Sequence, residues 1–316
     1  MIDEVTITNL STNVEHTFDK ENSEFLLDDD GVVIEELKSN FNTYAVYGRV
    51  GRLMDEPQLS SAINITITGW VIHTMMTPLD DKKQQLVKFF NPLQELKLRF
   101  KNREIKGYSK TSPKFGASRK ENNDLFCKFQ VVIYCPNPSF KSTDVVRYGI
   151  QGTAPTPYYP PDGGIPLRLN GDDVVLIPYD GTIPAEMSLY FNPNRLIPAG
   201  TWTEDGARIQ KLYVTPGTED YDLSKVVEEF ATRSMTYDAV RLYTSNPPNP
   251  GWYSLTNNNP VMRFSEIDPS KPEFMHLDPG INALRLTTAS GSSLSCYDII
   301  VEFHTVYAYP REEWGN

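Results

Sequence analysis

The sequence predicts a mainly β protein built from two domains, and three features carry that prediction. Leu125, Cys127, Phe129, Val131 and Ile133 alternate with Phe126, Lys128, Gln130, Val132 and Tyr134, the period-two pattern of a strand with one side buried. Pro136 and Pro138 stop that strand, because they lack the N–H a ladder needs and push the preceding residues away from regular pairing. Beyond it, Thr153 to Pro166 holds five prolines and two glycines without periodicity, which is linker composition. In the remainder, short apolar runs are punctuated by Asn170-Gly171, Asp180-Gly181, Pro216-Gly217, Asn249-Pro250-Gly251 and Asp278-Pro279-Gly280, as expected of an antiparallel sandwich. The expected division is residues 1–140, a linker over 141–165 and a second domain over 166–316, each large enough to bury its own core.

Along the first domain, Val5 to Thr8 and Glu24 to Leu27 are short strand candidates, and Asp28-Asp29-Asp30-Gly31 reads as a turn into a strand over Val32 to Leu37. The three aspartates do not match a calcium loop, since Leu26 and Asp29 break the required order of oxygen ligands; a solvated turn is the simpler reading. Tyr47 to Glu56 has two glycines flanking basic residues but lacks the remaining glycines or lysine of a phosphate-binding loop, so a structured loop or arm is expected. From Ser61 to His73, Ile63, Ile65, Ile67 and Val71 alternate with Asn64, Thr66 and Thr68, giving a second long strand.

Thr77-Pro78-Leu79-Asp80 reads as a helix start with Thr77 as N-cap and Pro78 in the first position, for a helix near residues 78–90. Leu79, Leu86, Val87 and Phe90 share its apolar face, and Asn91-Pro92 ends it. Leu96 to Phe100 and Arg103 to Tyr108 form a hairpin through Lys101-Asn102, and the basic segment Ser109 to Asn123 is expected to project as a loop. In the second domain, strands are expected at Leu167–Leu169, Val174–Ile177, Met187–Phe191, Ile209–Val214, Val240–Tyr243, Ala283–Thr287 and Cys296–Tyr309, with Leu223 to Thr232 as a possible second helix.

Charge is unevenly placed. Residues 1–36 contain eleven acids against Lys20 alone, whereas 82–128 contain thirteen bases against four acids, within a chain of net charge −11. Either these segments supply opposite edges for head-to-tail packing of identical copies, or folding cancels them within one molecule; the sequence leaves both open. Under the first reading, Asp28, Asp29 and Asp30 meet Lys82, Lys83 and Lys88 of a neighbour. A nucleic-acid role for the basic stretch would have to overcome the acidity of the rest.

The three cysteines, Cys127, Cys135 and Cys296, are too few for a disulfide framework and suit a reducing compartment, and the N-terminus carries no secretory pattern. No apolar run is long enough to span a bilayer, so no membrane insertion is expected. The four histidines lie far apart without metal-ligand spacing, the cysteines form no zinc pair, and there is no nucleophile elbow. No metal, cofactor or enzymatic activity is therefore expected, and Cys127 reads as an apolar core cysteine. Trp202, Trp252, Tyr253, Tyr158 and Tyr159 offer aromatic faces for sugar rings or a protein partner, with the alternative that they fill a core. Among them Trp252, beside Pro250-Gly251, is expected at an exposed loop tip.

In this order the segments resemble the distal tail proteins of long-tailed bacteriophages, the Dit family of the baseplate hub, over nearly the whole chain. The resemblance is carried by the early acidic strands, the Gly48–Arg52 loop, the isoleucine strand at Ser61–His73, the helix at Pro78–Phe90, and above all the strand ending in Cys135-Pro136-Asn137-Pro138-Ser139-Phe140. Asn137 stands where the family commonly has Asp, and Val50 where an aspartate is frequent. The resemblance implies an N-terminal ring-forming β-sandwich with one packed helix and a C-terminal galectin-like antiparallel β-sandwich facing outward. It further implies a virion protein at the distal end of the tail, assembled as a hexameric ring. Such a ring joins the tail tube protein to the tail-tip fibre or lysin, carries receptor-binding or adaptor proteins, and lets DNA pass without specific binding. The competing reading is a carbohydrate-binding β-sandwich module acting on a host cell wall.

Overall fold

The computed structural model describes residues 2–21, 24–36, 39–40, 43–45, 52–54, 58–59, 62–74, 77–151, 164–193, 206–233, 240–243, 251–254, 261–272, 275–291 and 297–310. The chain divides into two compact units, one of residues 1–143 and 307–316, the other of residues 144–306. It is mainly β with a single α-helix among the described residues, as expected.

The first unit contains β1 (Glu4–Asn9), β2 (Val14–Asp19), β3 (Phe25–Ile34), β4 (Ser39–Asn40), β5 (Thr43–Ala45), β6 (Arg52–Met54), β7 (Gln58–Leu59) and β8 (Ile63–Ile72). After them come α1 (Leu79–Phe89), β9 (Glu95–Phe100), β10 (Arg103–Ser109), β11 (Lys114–Phe115), β12 (Phe126–Cys135) and the start of β13 (Phe140–Gln151). The order β12-β8-β3-β2-β1-β9-β10 closes on itself through a β10–β12 pairing, Tyr108 opposite Tyr134. The expected sandwich is thus a closed seven-stranded barrel, which removes exposed edges that a sandwich would leave. Closure follows from length: β8 and β12 pair over ten residues, from Ile72 opposite Phe126 to Ile63 opposite Cys135, so their inward residues line the barrel from end to end. Gly107 sits at the seam, where a Cβ would lie 2.6 Å from the Tyr134 carbonyl oxygen, so only glycine lets β10 approach β12.

Inside, Val5, Ile7, Phe18, Phe25, Ile63, Ile65, Ile67, Val71, Leu98, Cys127, Phe129 and Ile133 form one core with Leu86, Phe89 and Phe90 of the helix region. Phe18 is its hub, stacked on Phe25 at 5.6 Å and 6.0 Å from both Phe90 and Phe129. The helix begins one residue later than expected. Pro78 is extended (ψ 149°) and occupies the N-cap with no side-chain cap, while its carbonyl accepts the first helical bond from Lys82 N–H at 3.2 Å. Thr77 is therefore outside the helix, and Asp80 and Asp81 complement the helix dipole in its place. The buried face is Leu79, Lys82, Leu86 and Phe89, while Val87 is exposed. The turn after β12 is fixed by Asn137, whose side-chain oxygen accepts from Ser139 N at 3.2 Å and Ser139 Oγ at 2.5 Å. Phe140 then returns to the core, edge-to-face with Phe100 at 5.8 Å. The Ser109–Asn123 segment does not project freely: β11 pairs back onto β12, with Phe115 opposite Phe129.

β13 continues into the second unit, through the first part of the segment expected to be linker; residues 152–163 lie outside the described ones. There follow β14 (Ile165–Arg168), β15 (Val174–Tyr179), β16 (Ala185–Pro193), β17 (Ala207–Val214), β18 (Tyr221–Thr232), β19 (Val240–Tyr243) and β20 (Gly251–Ser254). The last strands are β21 (Val261–Met262), β22 (Ile267–Pro272), β23 (His276–Leu277), β24 (Gly280–Thr288) and β25 (Tyr297–Tyr307). Five of them form the sheet β15-β24-β17-β18-β22, and β25-β16-β19-β20-β21 lie in the other. Ile177, Ile209, Phe230, Leu284 and Leu286 from the first sheet share a core with Met187, Leu189, Phe191, Ile299, Val301 and Phe303 from the second. This is an antiparallel sandwich. Leu223 to Thr232, a helix candidate in the sequence, is strand β18. Its apolar residues fit neither period cleanly, and pairing with β17 on one side and β22 on the other decides the outcome, with a bulge opposite Lys211 to Tyr213.

Candidate assembly surfaces

The β3–β8–β12 wall carries the residues that sequence reading singled out. Leu27 pairs with Gly69 and Val32 with Ile67, so four residues, Asp28 to Gly31, stand opposite Thr68 alone. The aspartates are thus a bulge within one continuous strand and not a turn between two. Gly31 permits it: a Cβ there would lie 2.7 Å from the Thr68 carbonyl oxygen. At its base Asp28 accepts from Lys128 Nζ at 2.6 Å, and Lys128 lies 5.3 Å from the Trp70 ring centroid. The Lys128 hydrogen bond holds the Asp28 carboxyl below the ordinary carboxylate range. Asp29 and Asp30 are exposed at the crest and, with Gly31 to Ile34, Glu36, Ile2, Tyr309 and Pro310, bound a cleft of about 640 Å³.

Lys82 is not on an outward edge. Its side chain is fully buried, with Nζ 3.0 Å from the Ile72 carbonyl oxygen and 3.6 Å from Glu24 Oε1. The spacing of Lys82 from Leu79, Leu86 and Phe89 carried that signal, which residue type overrode. Lys83 bonds Asn122 Oδ1 at 3.1 Å and reaches Asp80 at 3.4 Å, and Lys88 is exposed. Lys83, Lys88, Asp80, Gln84, Val87 and Phe115 surround a shallow groove of about 440 Å³ between α1 and β11.

Of the two readings of the charge separation, cancellation within one molecule operates among the described residues at Asp28–Lys128, Glu24–Lys82 and Glu15–Arg99, the last at 3.8 Å. Head-to-tail pairing can draw only on charges that this leaves.

In the second unit, Tyr253 is 3% exposed, which removes it from a surface site for sugar rings. Trp252 lies in strand β20 opposite Leu242 and not at a loop tip. Trp202, Tyr158, Tyr159 and the Gly48–Gly51 part of the arm lie outside the described residues. A charged network across the five-stranded sheet was not legible from residue spacing. Glu229 is bonded by Arg208 Nε at 2.5 Å and by Lys271, and Lys211 bonds the His276 carbonyl oxygen at 2.7 Å and Asp278 at 2.6 Å. Burial pushes the Glu229 carboxyl up, but the Lys271 and Arg208 bonds outweigh it and hold it below its ordinary value. Among the described residues no group of three or more His, Cys, Asp or Glu side chains could hold a metal ion, and no helix is long and apolar enough to cross a membrane. Cys127 and Cys135 are buried free thiols, and burial pushes the Cys135 thiol up to about 12.

A closed barrel with one helix packed into its core, followed by an antiparallel sandwich, makes this a two-unit β protein, and a solved structure shares that fold. The chain is similar to the crystal structure of the Dit protein of phage SPP1, described as a paradigm of the hub adsorption apparatus of phages infecting Gram-positive bacteria. The TM-score is 0.60 at 13% identity, over 96% of this chain and 98% of that one. A chain of the phage P2 baseplate in its activated conformation aligns over 98% of this chain at a TM-score of 0.46 and 11% identity. The sequence matches no family model and no curated protein. The resemblance read from the sequence is met at the level of the fold.

Proposed function

We propose that this chain is a structural hub protein of a phage tail tip, located at the distal end of the tail in the virion and acting without catalysis. The observation that carries this reading is the near full-length correspondence of both units, in order, with the SPP1 Dit fold. The mechanism is geometric: a contact between unlike faces of identical copies, repeated by rotation, closes a ring. A hexamer of this kind leaves a lumen through which DNA passes without specific binding, since an acidic wall repels it. Its two ends join the tail tube protein and the tail-tip fibre or lysin, and the sandwich carries receptor-binding or adaptor proteins for host attachment. Electron microscopy of the purified full chain tests this. Rings with an open centre are expected; subunits that stay dispersed at high concentration, or that bind cell-wall polysaccharide as monomers, would overturn it.

A further inference from the structure

Folding uses part of each charged segment internally and leaves a specific remainder. Glu15, Glu24 and Asp28 face Arg99, Lys82 and Lys128 within the chain. Of what remains of the acidic segment, Asp29 and Asp30 at the β3 bulge are exposed and are followed by Val33 at 56% exposure. Because four residues oppose one across the β8 ladder, this crest loops out of the strand pairing as a small knob beside the cleft it bounds, anchored at its base by Asp28 and Lys128.

What remains of the basic segment beside α1 has the reverse character. The groove between α1 and β11 has Lys83 and Lys88 on its rim, with Asp80 offsetting one of them, and Val87 and Phe115 on its apolar side. Val87 is 40% exposed there, an apolar helix position with no core to cover it. Lys83 is held in place by Asn122 Oδ1 at 3.1 Å, so its ammonium is positioned before any partner arrives.

We propose that the Asp29–Asp30 crest of one copy seats in the α1–β11 groove of a second copy of this chain. The two carboxylates meet Lys83 and Lys88, and Val33 packs against Val87 and Phe115. The occupant is a second copy because charge sign and apolar content of knob and groove match on the same chain, whereas β8 and β12 separate β3 from β11 within one barrel wall. The contact is heterologous, and it presupposes that the hub self-associates. Salt weakens it, since Asp29, Asp30 and Lys88 are exposed.

Sedimentation velocity of the full chain tests it. Asp29→Lys with Asp30→Lys, and separately Lys88→Glu alone or with Lys83→Glu, are each expected to raise the dissociation constant of association roughly tenfold or more. Combining the reversed crest with the reversed groove restores association. Lys88 is exposed, so Lys88→Glu leaves the fold intact and keeps the test sound if the change at Lys83 disturbs Asn122. Wild-type rings unmoved by every reversal overturn the contact but leave the hub reading standing. Loss of association that the combined variant fails to restore overturns the contact as well. A two-copy species rescued by the combination upholds the contact and overturns the ring, and a wild-type chain that never associates overturns both.

Discussion

The Asp28–Lys128 pair of the barrel wall and the Glu229 and Lys211 networks of the sandwich place charge on β-sheets in opposite ways. On the barrel wall the Asp28–Lys128 pair is about one-third exposed on both sides, where water screens it and it contributes little to stability. In the sandwich, the side chains of Glu229 and Lys211 are 10% and 5% exposed, so their partners are structural requirements. The barrel closes through β10–β12, which leaves its seven strands without a free edge among the described residues. The sandwich instead ends its five-stranded sheet in β15 and β22, edges that a closed sheet lacks. The comparison teaches that a charge pair in contact with water and one taken out of it answer to different terms, screening in the first case and desolvation in the second.

The largest test of this division is Phe90→Ala. Phe90 is fully buried against Phe18 and Phe89, and the loss is expected to cost about 3–5 kcal/mol. Hydrogen exchange should show the loss in barrel amides, and equal loss of protection at Phe230 and Leu284 would break the separation of the two cores. A smaller effect, about 1–3 kcal/mol, is expected for Glu229→Gln, because Arg208 and Lys271 keep access to water once their shared carboxylate is gone. This change also carries a pH signature. The Glu229 carboxyl is depressed in the folded state, so its stabilisation is fully present above the ordinary glutamate value and is lost as pH falls through the folded one. Thermal melts of the variant should therefore show a shallower loss of sandwich stability on acidification than the wild type. The smallest effect is expected at Asp28→Asn, under about 1 kcal/mol by denaturant unfolding, as for an exposed pair. A cost like that of Glu229→Gln would erase the contrast between the two units.

Much of the fold was legible where one physical signal dominated. The alternation in Leu125–Tyr134 and Ser61–His73 marked β12 and β8, and Pro136 marked the end of β12 at Cys135. Positive φ at Gly217 and Gly280 fits turns read from Pro216-Gly217 and Pro279-Gly280. β18 was not legible, because its conformation depends on the strands either side of it. The candidate contacts were legible only in part: the Asp28–Asp30 cluster and Lys83 and Lys88 stand out by charge, but burial of Lys82 and Tyr253 does not follow from residue type.

The sequence alone determined that the protein is mainly β, with long half-buried strands, a helix near residues 78–90 and strongly segregated charge, because periodicity and composition are local properties of a chain. Only the tertiary structure decided that seven strands close into a barrel, and that Asp28 and Lys128, a hundred residues apart, neutralise each other. Closure and pairing depend on which strands lie side by side, and that is set by the shared burial of residues such as Phe18, Phe90 and Phe129 from distant segments.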